Sequence, residues 1–382
     1  MGSSLIPERA AIAVADMLDN CVQVQPGQHV VLLGALDGLH GGRNLVDEQA
    51  IDWMAAGVQQ RGAHPTIVWA DMPLHPEAYW SRTSDAVPAW DLPPVVKGAL
   101  SSADVVIGQV VDLWQEGEAA HMFDALRERR VPYVFNLATT APLLASAFCL
   151  TPWELAAEIR IQAAKAVHDG AAWTITHPNG TQVRGTVVRG AENTTIRHTK
   201  YPEGVFPSLA STDAEGELVF DSTGPHWARH IGLPHRFSAP VRIAIEQGKM
   251  KDIRGGAEAE ILHDFYKSLS KHLGDNAYAV RGFHGGCHPH ASVTERECPD
   301  DAYRAFIEHH NATNVHLHLG DSHGSSYPFN VHVSAELPGA TVTIGGQVVY
   351  ENGRMPAFDH PEVQKIVARY PNRPGTDDIG AW

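Results

Sequence analysis

From about residue 5 to residue 150, short continuous apolar runs alternate with stretches whose apolar positions recur at helical spacing. HVVLLGA (29 to 35) predicts a buried strand, DEQAIDWMAAGVQQRG a helix after it, and HPTIVWAD a second strand. The scheme repeats as VVKGALSSA then DVVIGQVVD, and as MFDALRERR then VPYVFNLA. Strands that are apolar along their whole length, with helices between them, pair in parallel, because crossover helices cover both faces of the sheet. The pattern predicts an α/β, doubly wound parallel-sheet domain over residues 1–155.

A long helix then opens at TPWELAAEIRIQAAKAVHDG (151 to 170), where Thr151 and Glu154 have the spacing of a capping box. Beyond it the pattern turns to period two. AWTITHPNGTQVRGTVV reads as two strands about a Pro-Asn-Gly turn, and ELVFDST, APVRIAIEQGKMKDIRGG and ATVTIGGQVVYENGRM as strand and hairpin segments. AEAEILHDFYKSLSKHLG is a clear helix. Residues 156–382 are therefore expected to form an α+β domain, and a chain of 382 residues has the length for two cores.

Charge narrows the partners. With 44 acidic and 29 basic side chains, the formal charge is -15, the wrong sign for a phosphate backbone, whose binding draws on Lys and Arg. A small molecule is the expected partner, with no nucleic acid and no membrane. The N-terminus has no basic-then-apolar leader pattern, and the longest apolar runs fall far short of the ~20 residues of a membrane helix. Cys21, Cys149, Cys287 and Cys298 form no CxxC pair, which fits reduced thiols in a cytoplasmic protein. A homo-oligomer is expected.

Histidine is the candidate chemistry. The chain has 23 of them, four between residues 314 and 336 in NVHLHLGDSHGSSYPFNVHVSAE, and more in GFHGGCHPHA at 282 to 291. Side chains alternate faces along a strand, so His316 and His318 of VHLHL share one face; so do His332, Ser334 and Glu336 of VHVSAE. Imidazole suits Fe, Zn, Cu and Ni, and two histidines two apart supply two ligands from one rigid element. The glycines around His284 and His288 leave backbone freedom to bring either of them to the same point. His284, His316, His318 and His332 are the candidate ligands. His263, His272, His309 and His310 read as polar-face residues of helices, and Cys287 as a small buried residue.

The loop LGALDGLHGGRN (33 to 44) fits neither GxGxxG nor GxxxxGK[ST]. It reads as a strand-to-helix loop at the carboxyl end of the sheet, where such loops line ligand crevices, and His40 in it is placed to reach a substrate. His40 and His177 are candidate acid–base groups, and His226, His230 and His235 further proton shuttles. Arg281, His288, Tyr327 and Ser334 are candidates for binding substrate.

The segments GGAEAEILHDFYK, GGCHPHA, NVHLHLG and HVSAELPGATVTIGGQVVYENG, with PGQHVVLLG and RGAHPTIVWAD in the first half, resemble the 2,5-dihydroxypyridine 5,6-dioxygenases and, more distantly, the aminopeptidase T metallopeptidases. The first resemblance implies a mononuclear Fe(II) held by a loop histidine and by an HxD pair in a late strand. Carried onto this chain, these fall on His284 (or His288) and on His332, with Ser334 where the family has aspartate. His316 or His318 is then the candidate to complete the site. The implied activity is extradiol-type cleavage of a hydroxylated aromatic or heteroaromatic ring. The two-metal centre of the peptidases needs glutamates, and residues 280 to 290 contain none, so a metallohydrolase using Zn or Mn is the alternative. A binding protein that has lost the chemistry is a third reading.

Overall fold

The computed structural model describes residues 6–35, 47–70, 94–108, 131–188, 198–206, 208–224, 232–321, 333–373 and 375–376. Helix α1 (Glu8–Asp16) precedes β1 (His29–Ala35), α2 (Glu48–Gln60), β2 (His64–Ala70), α3 (Pro94–Ser102), β3 (Val105–Gly108) and β4 (Tyr133–Asn136). Two single-turn helices, α4 (Ala141–Leu144) and α5 (Ala147–Leu150), lead into α6 (Trp153–Ala164). Strands β5 (Ala172–Thr176), β6 (Gln182–Thr186), β7 (His198–Tyr201), β8 (Leu209–Ala210), β9 (Glu215–Ser222), β10 (Arg236–Glu246) and β11 (Lys249–Arg254) follow. The chain closes with α7 (Ala257–Leu273), β12 (Val280–Gly285), α8 (Asp301–Glu308), β13 (Val315–Leu319), β14 (Val333–Glu336), β15 (Thr341–Ile344), β16 (Gln347–Tyr350) and α9 (Pro361–Val367). The helix expected over MFDALRERR and most of the glycine-rich loop lie outside the described residues.

The result is a mixed α/β fold built on a parallel sheet. That sheet has the order β2-β1-β3-β4-β7, every pair parallel. This is the 2-1-3-4-5 order of doubly wound proteins, with the direction of winding reversing between β1 and β3. β3 and β4 are buried along their full length, which is why both are apolar throughout rather than alternating. The fifth strand is not contiguous with the others. β7 comes from beyond residue 155, and the hydroxyl of its Tyr201 reaches back to donate to Ala13 O at 2.8 Å and Cys149 O at 2.9 Å.

The later half forms a seven-stranded sheet, β11-β10-β9-β6-β5-β15-β16, and a four-stranded one, β14-β13-β12-β8. An isolated bridge between Thr223 and Ala335 joins β14 to the end of β9. The expected β5–β6, β10–β11 and β15–β16 hairpins form with antiparallel register. The expected capping box does not. α6 has Pro152 as N-cap with no side-chain cap bond, because Thr151 Oγ1 turns back to Ala147 O and Gly375 O. The first-turn donor of Trp153 is met instead by Asp16 Oδ2 at 2.8 Å, and Glu154 is taken by Arg369 and Tyr370.

Two cores result. The first contains α1, α2 and the parallel sheet, and it recruits Tyr303, Phe306 and Ile307 of α8. The second fills the space among α7 and the later strands and includes Cys287, Val315, Leu317 and Leu319. No helix among the described residues is long and apolar enough to cross a membrane. All four cysteines are buried, and none is in a disulfide.

Candidate metal centre

The four-stranded sheet sets the geometry of the histidines. β12 and β13 pair antiparallel with His284 opposite His316 and Gly282 opposite His318. β14 continues the rows, placing Glu336 opposite His316 and Ser334 opposite His318. Directly opposed residues point to the same side of a sheet, so His284, His316, His318, Ser334 and Glu336 share one face. Phe283, Leu317 and Leu319 alternate to the other face and are fully buried in the second core. The hydrophobic effect thus fixes the register, and a slip by one residue would send every histidine into the core. The paired glycines of GFHGGCH have a steric role: a Cβ on Gly286 would lie 2.0 Å from Asn311 O, so only glycine lets the end of β12 pass this close to the chain at 311.

One donor nitrogen each from His284, His316 and His318 can be chosen so that all lie within 4.8 Å of one another. Two nitrogens each ~2.1 Å from a common ion are at most about 4.2 Å apart, so small ring rotations would close this set on a metal. The donor set is all imidazole, which suits iron or zinc. His316 is fully buried, while His284 and His318 are partly open, giving the group a closed floor and an accessible rim.

His309 and Glu336 stand beside this group. The His309 ring lies 3.7 Å from that of His316, tilted by 32°, and its Nδ1 is 2.7 Å from Glu336 Oε1. Glu336 Oε2 is 3.9 Å from Nδ1 of His235, a nitrogen that also meets Thr223 O at 2.5 Å. Glu336 and His235 line a cavity of about 530 Å³ together with Asp221, Ser222, Phe237 and Asn314, among others. Glu336 therefore belongs both to the histidine cluster and to the cavity.

His309 and His310 are not on the polar face of a helix. They are 4% and 1% exposed, because α8 buries the stripe Tyr303, Phe306, Ile307 and His310 continues it at the i, i+3, i+4, i+7 spacing. That spacing was present in the sequence and would have found His310; His309, as the helix C-cap, is carried inward with it. Burial holds the His310 imidazole well below its ordinary range, although its Nδ1 donates to Phe306 O at 2.8 Å. His263 and His272 are exposed, as expected.

The other sequence candidates are placed as follows. His288 is fully buried, its ring 4.8 Å from that of Phe148 and its Nδ1 accepting from His290 N; burial pushes its basicity well down. His177 sits in the β5–β6 turn, with Nε2 3.0 Å from Pro338 O and Nδ1 accepting from Asn179 N. Arg281 occupies an irregularity in β12 and pairs with Asp321 at 2.6 Å. Ser334 Oγ is buried, with no hydrogen-bond partner among the described residues. Cys287 is a buried thiol whose pKa burial pushes well up. His40, Tyr327, His332, His226 and His230 lie outside the described residues.

With this geometry in hand, comparison with known proteins is decisive at the level of family. The model of the family described as 2,5-dihydroxypyridine 5,6-dioxygenase matches residues 11–357. This chain belongs to that family. Among solved structures, the dioxygenase-family chain is similar to "Structure of 2,5-dihydroxypyridine dioxygenase from Pseudomonas putida KT2440", with 15% identity, 92% of this chain and 98% of that one covered, and a TM-score of 0.64. It is also similar in fold to "Wild-type AmpT from Thermus thermophilus", with 11% identity, 91% and 99% covered, and a TM-score of 0.52. No curated protein matches the chain by sequence. At such identities the two structures speak to the fold, and the family assignment rests on the sequence match.

Proposed function

We infer that this member of the dioxygenase family is a non-haem Fe(II) enzyme opening a dihydroxylated pyridine or a related hydroxylated aromatic ring. The observation that carries the reading is the set of donor nitrogens from His284, His316 and His318 within 4.8 Å, on one face of a sheet in a chain of a ring-cleaving family. These residues would hold the metal, with His332 a further candidate from the family resemblance. When bound, ferrous iron supplies a path for electron density from an electron-rich ring diol to O2.

The protein's own groups do the remaining work. A ring in the cavity has Phe237 as an apolar wall and Ser222 and Asn314 as hydrogen-bonding groups. Thr223 O can only accept, so His235 Nδ1 carries the hydrogen in their 2.5 Å contact. Nε2 is then left to take a proton from a ring hydroxyl. Glu336 faces the same ring, its Oε2 3.9 Å from Nδ1.

Turnover of 2,5-dihydroxypyridine is expected to consume O2 stoichiometrically, to stop on chelation and to return with Fe(II) under reducing conditions. His316→Ala should purify without metal and without activity. Ring opening that continues in the absence of O2 would refute the reading. A three-imidazole set is equally natural for zinc, which keeps a metallohydrolase as the second reading; incorporation of ¹⁸O from water with no O2 requirement would select it.

A further inference from the structure

We propose that the carboxylate of this centre is Glu336, displaced by one turn of strand alternation from Ser334, and that it acts through His309 as a positioning pair. The inference rests on the reading of His284, His316 and His318 as metal ligands. Ser334 stands where the family resemblance places aspartate, and a neutral hydroxyl supplies neither the charge nor the ligand strength of a carboxylate. Its Oγ is moreover enclosed without a hydrogen-bond partner among the described residues. Two residues further along the same face, Glu336 is 5% exposed and lies directly opposite His316.

A carboxylate is kept this deeply buried only when it is paired. Its partner comes from a different element. His309 caps α8, whose Tyr303 hydroxyl donates to Leu137 O at 2.7 Å, so the helix is anchored to the end of the parallel sheet. An ionised carboxylate only accepts, so His309 Nδ1 carries the hydrogen in the 2.7 Å contact and Nε2 the lone pair. The carboxylate thereby fixes the tautomer and the orientation of the His309 ring.

Two rings on one ion, each nitrogen ~2.1 Å away, have centres roughly 4.5 to 6.4 Å apart. His284 and His318, at 4.6 Å, and His316 and His318, at 5.3 Å, satisfy that range, and His284 and His316, at 4.0 Å with their planes 66° apart, reach it by a small ring movement. The His309 ring lies 3.7 Å from that of His316 and is tilted from it by only 32°, and the donor set within 4.8 Å is made by His284, His316 and His318 without it, so it packs on the face of the His316 ring. Glu336 thus holds His309, and His309 holds the plane of His316.

The test is binding of Co(II) to the full chain, followed by its visible absorption and by competition with a chelator. Glu336→Ala and His309→Ala are each expected to weaken binding about 10- to 100-fold and to change the absorption envelope. Glu336→Gln, whose amide oxygen still accepts from Nδ1–H, should stay near wild type. The double alanine variant should be no weaker than the worse single one, because the two residues supply one function. Wild-type affinity in Glu336→Ala, losses that multiply in the double variant, or a Glu336→Gln as weak as Glu336→Ala would each overturn the proposal, the last by making Glu336 a direct ligand. A wild-type chain that binds no Co(II) would remove the metal reading itself, and this inference with it. Should Glu336→Ala not fold, His309→Ala with and without Glu336→Gln carries the comparison: loss from the first and none added by the second.

Discussion

Ser334 shows how one side chain can be informative through what it fails to do. It sits opposite His318 in the middle of the histidine face, yet its hydroxyl is buried without a hydrogen-bond partner among the described residues. A buried hydroxyl left unpaired costs about 1 to 3 kcal/mol. Ser334→Ala in the metal-free protein is therefore expected to leave the urea midpoint unchanged or to raise it. A clear fall in the midpoint would show that Oγ is engaged after all. Its neighbour Glu336 is the opposite case, a charged group with a partner on the cluster side in His309 and another on the cavity side in His235. Glu336 was visible in the sequence as a residue on the Ser334 face, since alternation is a local property. Its pairing with His309, 27 residues earlier in the chain, was not, because nothing local records which helix end meets which strand.

At the level of elements, β12 carries the largest constraint. Gly282 has φ +133°, and a Cβ there would lie 1.7 Å from Leu209 O in the adjacent strand β8. Backbone cannot move aside as a flexible side chain can. Gly282→Ala is expected to cost about 3 kcal/mol or more, read as a lower urea midpoint; a midpoint within experimental error of wild type would show that β8 yields freely. The same elements show what the sequence could and could not tell. The strands β1 to β4, the three hairpins and the HxH pair were legible, because each rests on a period of two or on a short apolar run. The capping box at Thr151 was misread because its donors are claimed by Asp16 and its residues by the C-terminal segment. β7 was missed for a related reason: HTKY has no strand signature of its own, and its place is set by pairing with β4.

For the whole molecule, burial of imidazole couples stability to pH. His288 and His310 are both held well below the ordinary value of 6.5, chiefly by burial. In the unfolded chain they protonate near 6.5, while in the folded chain they do not. Below that pH the unfolded state binds more protons, so stability is full above about 6.5 and falls as the pH drops beneath it. Each buried histidine contributes up to about 1.4 kcal/mol per pH unit. Urea unfolding of the metal-free protein at pH 7.5, 6.0 and 5.0 should show this slope, and His288→Asn should reduce it; an unchanged slope would mean that the ring is protonated in place. The two cores bear on folding in another way. The first sheet takes its edge from Tyr201, and its core takes Tyr303, Phe306 and Ile307 from α8. A ribosome delivers the chain in order, and domains completed early can fold before synthesis ends. Here the first four strands and most of their core emerge early, but the part supplied by Tyr303, Phe306 and Ile307 waits for residue 307. The nascent protein therefore carries an unfinished first core between residues 136 and 307, a little under half of its synthesis, and its histidine face can form only in the last fifth or so of the chain.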